Sequence, residues 1–181
     1  MLTLARSPTL RYGDFDAHPL LACEDGSMDT GWVLAIEEDH ADPRPAYVRN
    51  YVVGINLATG EVKRVVTGAD FYSYPRFSPD GRKIVWKEWD HPDLPFRKAR
   101  LCWADWMGGN TVENVELVAG GDGECPTEPR WNFRGTLFFG QEKSNFRQLF
   151  RRGPGDKVAR QVVLKGLEEA EIGDASWLLG W

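Results

Sequence analysis

Apolar positions along this chain fall in short runs that lack a helical period. Gly31-Trp32-Val33-Leu34-Ala35-Ile36, Val62-Lys63-Arg64-Val65-Val66, Lys83-Ile84-Val85-Trp86-Lys87-Glu88-Trp89 and Thr136-Leu137-Phe138-Phe139-Gly140 are rich in β-branched and aromatic residues. Such residues fit a pleated, packed surface. Groups of Gly, Pro, Asn and Asp stand between the runs and mark turns. Helical spacing is weak everywhere except for a single turn near residues 167–171. The pattern predicts an all-β chain.

Its clearest unit is Tyr74-Pro75-Arg76-Phe77, then Ser78-Pro79-Asp80-Gly81, then residues 83–89. It reads as a strand, a turn with Pro at its second position, and a returning strand. Upstream, residues 11–22 hold a short strand ending at Pro19, and residues 31–38 hold a second. A loop over 39–45 carries Pro43 and Pro45, which cannot donate to a ladder. Residues 47–57 and 62–66 form strands joined by Ala58-Thr59-Gly60-Glu61, with Gly60 placed for positive φ. Downstream, residues 100–105 and 112–119 form a hairpin across Met107-Gly108-Gly109-Asn110. A third series runs through 128–135, 136–140, 148–152 and 158–164, with Gly153-Pro154-Gly155-Asp156 as its last hairpin turn. Ala175-Ser176-Trp177-Leu178-Leu179 then starts another strand.

Phe15, Phe77, Trp131 and Trp177 align as the central aromatics of successive first strands, at spacings of 62, 54 and 46. Four-stranded propeller units with variable loops recur at such intervals. Residues 37–43 and 88–93 also match at a constant offset of 51. Ile84 and Trp86 point to one face of their strand, Val85 and Trp89 to the other. A sheet with one wet face would alternate more cleanly, whereas a blade is covered on both sides. The fold expected is a partial β-propeller of about three four-stranded blades plus the first strand of a fourth. It is one incomplete domain over 1–181, with units at 11–67, 70–120 and 126–165 and a further start at 170–181. Open blade edges invite pairing. Either Leu2 to Ala5 and Trp177 to Leu179 seal the last blade, or two copies form a homo-oligomeric ring.

Composition narrows the class. Nineteen Gly and eleven Pro, spread along 181 residues with 12% aromatics and eight Trp, fit a turn-rich globular chain. A net charge of −5 argues against a nucleic-acid surface, which needs clustered Lys and Arg. No apolar run approaches the roughly 18 residues of a membrane span, and Met1-Leu2-Thr3-Leu4-Ala5-Arg6-Ser7-Pro8 lacks a signal-peptide core. Cys23, Cys102 and Cys125 show no metal spacing. These features lead to the expectation of a cytoplasmic protein.

The phrases Asp70-Phe71-Tyr72-Ser73-Tyr74-Pro75-Arg76-Phe77-Ser78-Pro79-Asp80-Gly81, Glu88-Trp89-Asp90-His91-Pro92 and Pro129-Arg130-Trp131 resemble the propeller of the prolyl oligopeptidase family of serine peptidases, especially its dipeptidyl and acylaminoacyl peptidase-like members. The hairpin Asn56-Leu57-Ala58-Thr59-Gly60-Glu61-Val62 is similar to the repeat of the wider TolB-like propeller group. The resemblance covers almost the whole chain. It implies a substrate-gating propeller, which in that family precedes an α/β-hydrolase domain with a Ser-Asp-His triad. No counterpart of that domain is expected within these 181 residues. The chain also departs at Asn132-Phe133-Arg134-Gly135, in place of Ser-Pro-Asp-Gly, and at the basic loop Pro95-Phe96-Arg97-Lys98.

No catalytic set emerges from the residues themselves. None of Ser7, Ser27, Ser73, Ser78, Ser144 or Ser176 lies in the G-x-S-x-G context of a nucleophile elbow. Asp39-His40-x-Asp42 and Asp90-His91-x-Asp93 contain metal-ligating residue types, but loop chemistry at equivalent positions explains the repetition more simply. Glu37-Glu38, a carboxylate pair of the kind that holds a substrate amine, is expected at a solvated strand end. Gly120-Gly121-Asp122-Gly123 lacks the Lys-Ser/Thr of a phosphate loop, and Cys125 has no base beside it in sequence. No catalytic residue, metal ligand or cofactor is therefore expected, and substrate-binding residues are not legible. The leading expectation is a non-catalytic binding or scaffold module for a peptide or small molecule. The alternatives are a shortened dipeptidyl aminopeptidase-like protein lacking its hydrolase domain, and a small hydrolase, isomerase or cyclase using carboxylates with His40 or His91.

Overall fold

The computed structural model describes residues 7–19, 31–109, 111–121, 123–143 and 146–173. They form three antiparallel four-stranded meanders. The first contains β1 (Leu10–Ala17), β2 (Trp32–Asp39), β3 (Arg49–Asn56) and β4 (Val62–Val66); the second β5 (Phe71–Phe77), β6 (Lys83–Trp89), β7 (Arg100–Trp106) and β8 (Val112–Gly120). The third contains β9 (Pro126–Trp131), β10 (Leu137–Lys143), β11 (Phe146–Arg152) and β12 (Arg160–Gln161). First strands lie side by side, β1 against β5 and β5 against β9. This is an arc of three propeller blades, in agreement with the sequence. No helix among the described residues is long and apolar enough to cross a membrane.

Alternation along β6 and β7 builds both blade interfaces. Ile84, Trp86, Cys102 and Ala104 join Leu34, Val52, Val65, Val66, Tyr72 and Phe77 between the first two blades. Val85, Leu101 and Trp103 point the other way and join Val118, Leu137, Phe139 and Phe150 between the second and third. A strand buried on both faces places consecutive apolar residues in different cores.

The structure corrects several local expectations. Strand β5 begins at Phe71, because Phe71 and Tyr72 pair with Trp89 and Glu88 on the far side of a bulge. Strand β12 shrinks to two paired residues, since Val158 and Val163 beside it are exposed and have no face to bury. Residues 45–47 form a 3-10 turn, and residues 167–171 make single turns without a helix. Blade alignment also shifts. Each first strand carries one bulge, centred on Asp14, Tyr74 and Glu128, all at positive φ. Counting from these bulges, Phe77 and Trp131 match Ala17, not Phe15, which is 59% exposed. The proline pair Pro19 and Pro79 carries the correct register. The offset of 51 between the first two blades holds, since Ile36 faces Gly13 as Lys87 faces Ser73. The expected strand at 175–179, the closure by Leu2 to Ala5 and Trp177 to Leu179, and Cys23 lie outside the described residues.

Side chains from β1 complete the bulge of β5. The bulge frees backbone N–H groups from the ladder. Asp14 accepts from Tyr74 N at 2.5 Å and from Arg76 Nη2 at 2.7 Å, and Asp16 accepts from Phe77 N at 2.7 Å. The turn after β5 is closed by Gly81 N to Ser78 O at 2.8 Å. Gly81 sits at φ 69°, and a Cβ there would strike the His18 ring, so glycine is required. Asn132-Phe133-Arg134-Gly135 makes the same turn despite its different sequence, with Gly135 N to Asn132 O at 3.0 Å.

Candidate functional site: a cleft between the second and third blades

The loops that close β5–β6, β9–β10 and β11–β12 converge on one cleft of about 900 Å³. Its apolar lining comes from Trp103 of β7, Trp131 at the end of β9, and Phe133 in the following turn. Trp103 and Trp131 stack at 5.8 Å with 8° between their planes. The Arg152 guanidinium lies 4.1 Å from the centre of the Trp103 ring, and Arg134 lies 5.2 Å from that of Phe133. Phe133 is 82% exposed. Phe133 thus adds an exposed apolar ring to the lining that already holds the stacked indole pair.

Charged groups around the aromatics fall into two sets. Arg152 is buried and donates Nη2 to Glu116 at 2.6 Å, Nη1 to Leu117 O at 3.3 Å and Nε to Asp156 O at 3.1 Å. This pairing holds the Glu116 carboxyl below its usual range. Lys83 donates to Asp105 at 2.5 Å, which Asn114 Nδ2 also reaches at 2.7 Å, and the Asp105 pKa is lowered accordingly. Asp80 is bound by Ser78 Oγ and Arg82 N, and Asp156 by Gly153 N. Every carboxylate of the lining thus already has a donor. Arg82, Arg134 and Lys157 are exposed and form no ion pair among the described residues.

The residues singled out from the sequence lie elsewhere. Glu37, expected in solvent, is buried and accepts from Tyr12 Oη at 2.8 Å and Arg64 Nε at 2.7 Å. Burial and the Glu37 carboxylate together push Tyr12 up to about 12. Asp39 takes Arg64 Nη2 at 2.8 Å and the amide of Ala41 at 3.0 Å. In the second blade, Arg100 spans Glu88 and Asp90 at 2.9 and 2.8 Å. Equivalent carboxylates in two blades are therefore each clamped by one arginine. His40 Nε2 contacts Glu38 at 3.0 Å; Asp42 pairs with Arg44. The His91 ring meets Phe71 edge-on at 4.8 Å, and Asp93 N bonds Asp90 O at 2.9 Å. Among the described residues, no group of three or more His, Cys, Asp or Glu gathers to hold a metal ion. Ser78 serves its turn, accepting from Lys83 N at 2.9 Å.

Sequence reasoning missed one neighbour. Cys125 is buried with Lys87 Nζ 3.9 Å from its sulfur, and its thiol donates to Pro95 O. Burial lowers the Lys87 pKa and raises that of Cys125. Strand alternation could have placed Lys87 on the face shared with Val85, but not beside a residue 38 positions away.

No protein-family profile matches the chain, and no curated protein matches it. Solved structures do. In class, the chain is a β-propeller arc of the kind found in the prolyl oligopeptidase family. A puromycin-hydrolyzing peptidase of Mycobacterium tuberculosis superimposes with a TM-score of 0.69 at 24% identity, over 88% of this chain and 24% of that one. A second puromycin hydrolase gives 0.70 at 25% identity, over 89% of this chain and 24% of that one. An oligogalacturonate lyase in complex with manganese gives 0.60 at 17%, over 87% and 42%, and is alike in fold alone. The chain therefore spans about a quarter of the length of the two peptidase structures.

Proposed function

We propose that the chain is a ligand-binding propeller module without catalysis of its own, and that the cleft between its second and third blades is the binding site. The observation that carries this reading is the stacked Trp103–Trp131 pair opening onto about 900 Å³ beside the exposed Phe133. Cavities of roughly 300–1,000 Å³ with aromatic walls and a few placed polar groups are typical of small-molecule and short-peptide sites. Isothermal titration against a panel of dipeptides and small aromatic compounds tests it. Binding by the wild type that Phe133→Ala weakens supports the cleft; binding indifferent to Phe133, or none across the panel, contradicts it.

The peptidase comparison favours a second reading. Each puromycin-hydrolysing structure is about four times as long as the stretch matched here. On this reading the propeller gates substrate entry to a hydrolase domain outside these 181 residues. The purified chain then leaves aminoacyl substrates uncleaved, and hydrolysis appears only when a chain bearing the triad is added. Cleavage by the chain alone would remove both readings.

A further inference from the structure

We infer that the ligand of the cleft is a small organic anion carrying an aromatic ring, an inference that rests on the cleft-binding reading above. Its ring lies against Trp131 and Phe133, and its charge faces Arg82, Arg134 and Lys157.

The argument is one of charge matching. All four carboxylates in the lining accept hydrogen bonds: Asp105 from Lys83 and Asn114 and Glu116 from Arg152, and Asp80 and Asp156 from the neutral donors Ser78 Oγ, Arg82 N and Gly153 N. Two of the five cations, Lys83 and Arg152, are matched to those acids. The side chains of the other three form no ion pair among the described residues, and Arg82 reaches Asp80 through its backbone amide. The lining as a whole holds five cations against four carboxylates, one net positive charge in a chain whose net charge is −5, so it does not reflect overall composition. A neutral or cationic ligand filling the cleft would strip water from three cations and return no counter-charge. An anionic one gains charge-assisted hydrogen bonds, two of them available from planar guanidinium groups suited to a carboxylate or phosphate.

Size and shape restrict the anion further. Three cations around one cleft do not make the extended stripe that a nucleic-acid backbone requires. The volume of about 900 Å³ suits a small molecule. The aromatic part follows from Phe133, whose ring is exposed with Arg134 beside it; a planar ligand ring covers it and stacks as the indoles already do.

Three probes with one ring and different charge separate the outcomes: N-acetyltryptophan (anionic), N-acetyltryptophanamide (neutral) and tryptophanamide (cationic), each titrated calorimetrically into the whole chain. The carboxylate is expected to bind roughly tenfold or more tightly than the neutral amide, with affinity falling as salt rises. Arg134→Glu/Lys157→Glu, both on exposed turns, should erase that preference while the circular-dichroism melt stays unchanged; Arg82→Gln should reduce it without adding negative charge. If the neutral or cationic probe binds as well as the anion and Phe133→Ala weakens it, the cleft reading stands and the anionic inference is overturned. If none of the three binds, both are overturned.

Discussion

The two blade interfaces use the same framework and reach opposite ends. Between the first and second blades the aromatic contact is close-packed. Gly54 lies so close to Trp106 that an added Cβ would sit 3.0 Å from that ring, and Trp32, Trp106 and Phe77 fill the space edge to face. Ala104 and Ile36 complete it. Register places Trp103, Arg152 and Lys87 at the matching positions between the second and third blades. A glycine becomes an indole, an alanine a buried guanidinium, an isoleucine a buried amine. Trp103 and Arg152 line the cleft there, and Lys87 is buried beside Cys125. One repeat thus supplies a close-packed aromatic contact on one side and the larger cleft on the other.

The contrast breaks most visibly at the indoles. Trp86→Ala, between the first two blades, should destabilise by about 3–5 kcal/mol, as expected of a large-to-small change that cannot collapse. Trp103→Ala should fall at the lower end of that range, because water from the cleft can enter the space. Urea unfolding midpoints compare the two; a larger loss at Trp103 would reverse the picture.

Lys87→Ile restores the first interface's residue in the second. Removing a buried amine that has no carboxylate partner among the described residues should stabilise by roughly 1–3 kcal/mol. The sign with pH follows from its lowered pKa. Burial disfavours the charged form of this lysine in the folded state, so the wild type carries a penalty at neutral pH that fades as pH rises toward 10.5. The variant's advantage should therefore shrink on moving from about pH 7 toward pH 10.

Glu116→Gln should have a smaller effect, about 1 kcal/mol, by removing the charge that Arg152 binds. Because Arg152 holds the carboxyl low, this contribution is present above the ordinary glutamate range and lost as pH falls through the depressed folded-state value. The variant should consequently lack that part of the acid sensitivity. Phe133→Ala should move stability by less than about 0.5 kcal/mol, which makes it the cleanest variant for binding.

Much of this frame was legible in the chain. Period-two alternation assigned Ile84, Trp86 and Val85 to their faces, and the Gly and Pro turns marked the hairpins, because both signals are local. The bulges were not legible. They use positive φ at Asp14, Tyr74 and Glu128, residues that do not advertise that conformation, and so the aromatic Phe15 was matched in place of Ala17. The cleft was less visible still. Trp103 and Trp131 meet across two blades, and nothing local to Arg152 points to Glu116, 36 residues earlier. The carboxylates of the 37–42 and 88–93 segments drew attention by repeating, and the repetition reflects arginine clamps within each blade.

Nuclear magnetic resonance of the tryptophan indole N–H signals tests the difference between the interfaces most directly. Titration with N-acetyltryptophan, whose own indole is left unlabelled, should shift the Trp103 and Trp131 signals and leave Trp32, Trp86 and Trp106 in place. Shifts centred on Trp32 and Trp106, with Trp131 unmoved, would contradict the assignment of the cleft.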